Sequence, residues 1–153
     1  MSKTGRRFAL RVATALVTLP AVLYLTWRPG LEWGFALFIG LLAGVGLYEY
    51  YAIVRARAIS PETIGGIVAG VLVALSGYCG DLQITNLVLW GGFLLVSALH
   101  IVRGQHSVAG LASSAFGVFY VGWFSAHIIL IQRTPSAGPT LVTLLFVVVV
   151  LTD

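Results

Sequence analysis

The chain has 153 residues, of which 59% are hydrophobic and only 9% charged, with a formal net charge of +4. A soluble domain ordinarily carries about 25% charged residues, so the 9 basic and 5 acidic side chains here are too few to coat a water-soluble globule of this size. That excludes a soluble monomer and a disordered tail, and the single cysteine, Cys79, excludes a disulfide-built scaffold.

The charges divide the chain into apolar runs, and a membrane-crossing helix needs about 20 mostly apolar residues. Six spans are predicted, at about 10–28, 33–54, 63–80, 83–102, 108–131 and 138–153. Together they form a single membrane domain over residues 1–153, an all-α polytopic helix bundle. The first span has a basic start and an apolar middle, as a signal peptide would. Pro20 falls inside the run, however, and no small-x-small site precedes Arg28, so it reads as a retained helix. Arg28-Pro29-Gly30 turns the chain into the second span, which holds the glycine pair Gly40/Gly44 and the acid Glu49.

Ser60-Pro61-Glu62 separates the second and third spans, with Ser60 placed as a helix N-cap. The third span carries Gly66/Gly70 and Ser76/Gly80, and the fifth Ala109/Ser113 and Gly110/Ser114. Small residues four apart let helix backbones approach one another in lipid. Thr134-Pro135-Ser136-Ala137-Gly138-Pro139 breaks the chain before the sixth span, which ends in Thr152-Asp153.

Cytoplasmic loops collect Lys and Arg. With the N-terminus inside the cell, Lys3, Arg6, Arg7, Arg11, Arg55, Arg57 and Arg103 fall on the cytoplasmic side, and only Arg28 and Arg133 on the other. The expected location is the cell (inner) membrane. The positive charge then faces an anionic membrane surface rather than nucleic acid, since no basic stripe with interleaved aromatics is present.

Glu49, in Tyr48-Glu49-Tyr50-Tyr51, is the one carboxylate expected within a span. It is either an interfacial acid paired with Arg55 or another helix's arginine, or a residue lining a polar cavity. His100 and His127 lie near span ends and His106 in a loop, without metal-ligand spacing. Cys79 reads as a small apolar filler, Trp27, Trp33, Trp90 and Trp123 as interfacial belt residues, and Ser113 and Ser114 as helix-packing serines. No phosphate-gripping loop, Walker lysine or dinucleotide fingerprint occurs, so the residues alone name no reaction.

Four stretches resemble the N-terminal half of the phosphatidate cytidylyltransferases (CDP-diacylglycerol synthases). Leu10-Arg11-Val12-Ala13-Thr14-Ala15-Leu16 with Leu19-Pro20 is similar to that family's basic-apolar start. Leu47-Tyr48-Glu49-Tyr50 resembles its glutamate between aromatics, although a tryptophan more often stands where Tyr48 does. Gly117-Val118-Phe119-Tyr120-Val121-Gly122 is similar to its Gly-x-x-Tyr-x-Gly span. The run Leu141 to Leu151 with Thr152-Asp153 resembles the helix that enters its Thr-Asp-Thr-Gly-Ala-Tyr motif. The family's more diagnostic motifs lie beyond residue 153, so the chain is expected to be the front part of a longer protein and inactive alone.

The resemblance implies transfer of CMP from CTP to the phosphate of phosphatidic acid, giving CDP-diacylglycerol and pyrophosphate, with Mg2+ as cofactor. It makes Asp153 a metal candidate, while Arg11 is a candidate for the lipid head group and Glu49 for a cavity wall. A homo-oligomer is compatible with this reading. Two alternatives stand beside it: a small multi-span transporter or membrane binding subunit, and a CTP-dependent lipid or polyprenol kinase.

Overall fold

A computed structural model describes residues 20–28, 30–104 and 107–152. Arg11, His106, Asp153 and most of the first expected span lie outside the described residues.

Among the described residues seven helices follow one another: α1 (20–27), α2 (Glu32–Arg55), α3 (Thr63–Ser76), α4 (Leu82–Val102), α5 (Val108–Gly117), α6 (Phe124–Gln132) and α7 (Gly138–Thr152). A 3-10 turn, Gly77–Cys79, extends α3, and a π-helical segment, Val118–Trp123, joins α5 to α6. No strand occurs among the described residues, in agreement with the expected all-α bundle.

Glu32–Arg55, Leu82–Val102 and Val108–Gln132 are long and apolar enough to cross a membrane; Thr63–Cys79 and Gly138–Val149 are apolar but shorter. The expected fifth span is thus one continuous run with a π segment at its middle. The outer surface suits lipid: Leu41, Leu87, Leu94 and Val102 are each exposed by 70% or more, which water would penalise and hydrocarbon does not.

Helix starts follow local chemistry. Asp81 caps α4 by accepting from the Gln83 N–H at 2.7 Å, and Ser107 caps α5 by accepting from the Gly110 N–H at 3.1 Å. Each such cap contributes about 1 kcal/mol. The expected Ser60 cap is corrected: α3 begins after Glu62, whose carbonyl accepts the Gly66 N–H at 2.8 Å. Ser60 is held elsewhere, its carbonyl oxygen so near Gly110 that a Cβ there would sit 2.5 Å from it.

Small residues govern the packing, because lipid supplies no hydrophobic force between helices. The α3 helix lies against α2, α4, α6 and the π segment. Gly40 and Gly44 of α2 face Leu75 and Val71, while Gly70 faces Leu47, as the glycine spacing predicts. Gly122 comes closer still, since a Cβ on it would lie 2.7 Å from the Gly70 carbonyl oxygen. Val22, Phe35, Ile39, Ile129 and Val142 form one apolar core, joining α1, α2, α6 and α7. Ala69, Val73, Leu89, Val96 and Val118 form another, around α3 and α4.

Two expectations change. Trp123, expected as a belt residue, lies in the π segment, where its indole N–H donates to Asn86 Oδ1 at 3.1 Å. A partner inside the bundle removes the need for an interfacial one. Cys79 is exposed rather than filling a gap, because the chain reverses at Gly80 with φ +72°.

Candidate functional site

The richest polar arrangement is at the end of the bundle where α2 stops, α3 starts, α4 stops and α5 starts. The α2–α3 and α4–α5 connections must lie at the same end, because the helices between them alternate in direction. Glu62 from the first connection therefore meets Arg103 from the second: Oε2 lies 2.6 Å from Nη1. The Glu62 side chain is fully buried, whereas that of Arg103 is half exposed.

Ser114 is the second anchor. Its Oγ accepts the Glu62 backbone N–H at 2.8 Å and donates to the Gly110 carbonyl at 2.8 Å. Its own carbonyl accepts the Tyr51 hydroxyl at 2.9 Å, and the Ser113 carbonyl accepts the Tyr50 hydroxyl at 3.1 Å. Tyr51 is wholly buried, and two glycines make room for it. A Cβ on Gly117 would be 2.7 Å from the Tyr51 hydroxyl, and one on Gly66 would collide with it outright. Tyr51 is thus clasped between α3 and α5, beside the start of the π segment, and ties α2 to both.

His100 completes the cluster. Its Nε2 lies 3.0 Å from the Ser107 carbonyl, which can only accept, so this bond needs a proton on Nε2. Nδ1 and Glu62 Oε1 are both buried and, among the described residues, without a hydrogen-bond partner. At the rim, Arg55 donates to Thr63 Oγ1 at 3.0 Å. The cluster holds four elements at fixed spacing beneath a surface carrying Arg55, Arg57 and Arg103.

The Ser114 hydroxyl proton is committed to the Gly110 carbonyl, so this side chain ties the start of α3 to α5. Among the described residues no three His, Cys, Asp or Glu side chains gather, so none of them fits a divalent cation. Asp153 and Arg11 lie outside the described residues. Glu49 is exposed on α2 and takes no part in the cluster, and Arg55, one of the partners considered for it, donates to Thr63.

Sequence reasoning missed the roles of Glu62, Arg103 and Tyr51, and treated Ser114 as a packing serine only. One signal was present: the predicted topology puts Glu62 and Arg103 in two loops on the same side. The glycines at both ends of Gly117-Val118-Phe119-Tyr120-Val121-Gly122 have packing roles here. Gly117 admits Tyr51, and Gly122 admits the α3 backbone.

The profile of the Cytidylyltransferase family matches residues 9–153. The chain is also similar to "Phosphatidate cytidylyltransferase 4, chloroplastic" from Arabidopsis thaliana, at 28% identity over 120 residues. That stretch covers 72% of this chain but 30% of the relative, so the chain spans under a third of the relative's length. No solved structure matches the chain.

Proposed function

Since the chain belongs to the Cytidylyltransferase family, we propose that it is the membrane-embedded front part of a phosphatidate cytidylyltransferase. The observation that carries this reading is a family match running unbroken from residue 9 to residue 153. In the proposed reaction a phosphate oxygen of phosphatidic acid attacks the α-phosphorus of CTP. The bond to the β-phosphate oxygen breaks, pyrophosphate leaves, and CDP-diacylglycerol remains in the bilayer.

The apolar envelope and the basic end support such a role in binding. A lipid substrate reaches the protein from the leaflet, and a nucleotide from water is drawn to a surface of one sign. In this reading the end with Arg55, Arg57 and Arg103 is cytoplasmic, in the cell (inner) membrane. Glu62, Ser114 and Tyr51 hold the helix ends that frame it. The Mg2+ that the family resemblance implies would bind outside the described residues, with Asp153 as one ligand. CMP transfer then requires the motifs beyond residue 153, and residues 1–153 alone are inactive.

The test is an isotope assay on membranes containing the gene's full product, translated to its stop codon, and on purified residues 1–153. Label from the α-phosphorus of CTP is expected in lipid with the full product and not with residues 1–153. Label from the γ-phosphorus would instead mark a lipid kinase, and no label from either position would favour a transport or binding subunit. CDP-diacylglycerol made by residues 1–153 alone would overturn the inactivity of this part.

A further inference from the structure

At the end of the bundle opposite Glu62 lies a cavity of about 330 Å³ between α1, α2, α6 and the turn into α7. A single buried water takes up only about 30 Å³, while small-molecule sites begin near about 300 Å³. The space therefore suits a head group rather than one solvent molecule. Its lining is as much apolar as polar, with Trp27 and two prolines beside a charged and polar set to which Thr26, Arg28, Glu32, Gln132 and Arg133 contribute.

Two of these side chains are unfinished. Thr26 is 4% exposed and Gln132 is 7% exposed, yet among the described residues Thr26 Oγ1 and Gln132 Oε1 have no hydrogen-bond partner. Leaving such groups buried and unpaired forfeits the hydrogen bonds they make in water, and both line the same cavity. The charges are also incomplete. Arg133 is paired with Glu32 at 3.2 Å and lies over the Tyr78 ring at 4.8 Å. Arg28 rests over the Tyr24 ring at 5.3 Å and, among the described residues, has no carboxylate within ion-pair reach. One guanidinium and one hydroxyl donor are thus available for an anion, and one carboxamide oxygen for a hydroxyl. The exposed Trp27 and Trp33 beside the cavity mark the depth of the membrane interface, where lipid phosphates sit.

We propose that this cavity binds a phosphate group that also carries a hydroxyl donor. Arg28 and the Thr26 hydroxyl hold the phosphate oxygens, and Gln132 Oε1 accepts from the hydroxyl. A glycerol-bearing phospholipid head group in the leaflet away from the Arg103 end has this chemistry, and so does free dihydrogen phosphate. The site is separate from the proposed CMP transfer at the other end, and its test does not depend on activity.

The experiment is native mass spectrometry of the purified full chain released from micelles doped with phosphatidylglycerol, or with diacylglycerol as the phosphate-free control. One phosphatidylglycerol is expected to remain per chain, and diacylglycerol to be lost. Arg28→Gln should weaken retention by about 10-fold, the usual worth of one charge-assisted hydrogen bond, and Arg57→Gln at the far end should not change it. Thr26→Val supplies the independent check: removing an orphaned hydroxyl should raise the melting temperature in lipid-free detergent while lowering lipid retention. Displacement of the lipid by millimolar inorganic phosphate would support the site and identify free phosphate as its ligand. Equal retention of diacylglycerol, or unchanged retention in both Arg28→Gln and Thr26→Val, would overturn the proposal.

Discussion

Glu62 and Arg103 are 41 residues apart in sequence, yet their side chains meet at 2.6 Å, with the carboxylate buried and the guanidinium half in the open. That asymmetry dictates unequal consequences for the two partners. Arg103→Gln strands a buried carboxylate; loss of a partner from a buried pair costs about 3–5 kcal/mol, reduced here to about 2 because Arg103 is partly solvated. Glu62→Gln leaves an arginine that turns to water, for about 1 kcal/mol. The double variant should lie near Glu62→Gln alone. Thermal unfolding in detergent reads all three, and equal losses in the two single variants would contradict the buried-carboxylate account.

Tyr51 and its two glycines form a second coupled set. Tyr51→Phe deletes the bond to the Ser114 carbonyl and should cost about 1 kcal/mol. Gly117→Ala pushes a methyl to within 2.7 Å of the Tyr51 hydroxyl, and overpacking of this kind costs about 1–3 kcal/mol. Because the hydroxyl is the nearest atom, Tyr51→Phe should restore part of what Gly117→Ala loses. Simple additivity of the two in a double-mutant cycle would show that they do not meet.

Glycines of similar appearance in sequence should behave oppositely. Gly122→Ala drives a Cβ against the Gly70 carbonyl, which is backbone and cannot swing away, whereas Gly91→Ala meets nothing within 4 Å. The first should lose about 1–3 kcal/mol by overpacking. The second should be neutral or gain up to about 1 kcal/mol from helix propensity. Comparing the melting temperatures of the two variants in one detergent decides it.

Apolar periodicity and punctuation made the helices legible. Charges interrupt the runs near 28, 55, 81, 103 and 133, and the described helices end or begin within a few residues of each. The glycine pairs Gly40/Gly44 and Gly66/Gly70 announced close helix packing, but which atoms they admit depends on side chains of other helices, such as Leu75 and Tyr51. The π segment was not legible, since its six residues, Val118–Trp123, have the composition of any apolar helix. Nor was the partner of Trp123, because Asn86 lies on a different helix, 37 residues away. The Glu62 cluster escaped notice for a similar reason. Its members come from four elements, and a loop acid looks solvated until its neighbours close over it. The four stretches that resembled a known family had already pointed to the family the chain belongs to.

Ala58, in the turn after α2, has φ +58°, a left-handed conformation that costs a residue with a Cβ about 1–2 kcal/mol. Ala58→Gly should therefore stabilise the protein by roughly 0.5–1 kcal/mol once the extra flexibility of glycine in the unfolded chain is subtracted. No change or a loss in melting temperature would place the turn in another conformation.

Orientation is testable through Cys79, the single cysteine in the sequence. It is exposed in the turn between α3 and α4, at the same end as Glu32, Arg133 and the cavity beneath Trp27. If the basic end faces the cytoplasm, Cys79 faces outward. A membrane-impermeant maleimide added to intact cells should then label the peptide that contains Cys79, and Cys79→Ser should abolish that label. In inside-out vesicles Cys79 should stay unlabelled until detergent opens the membrane. The reverse pattern would invert the topology, carrying Arg55, Arg57 and Arg103 to the outer face. The proposed cytoplasmic meeting of lipid and nucleotide would then fail together with it.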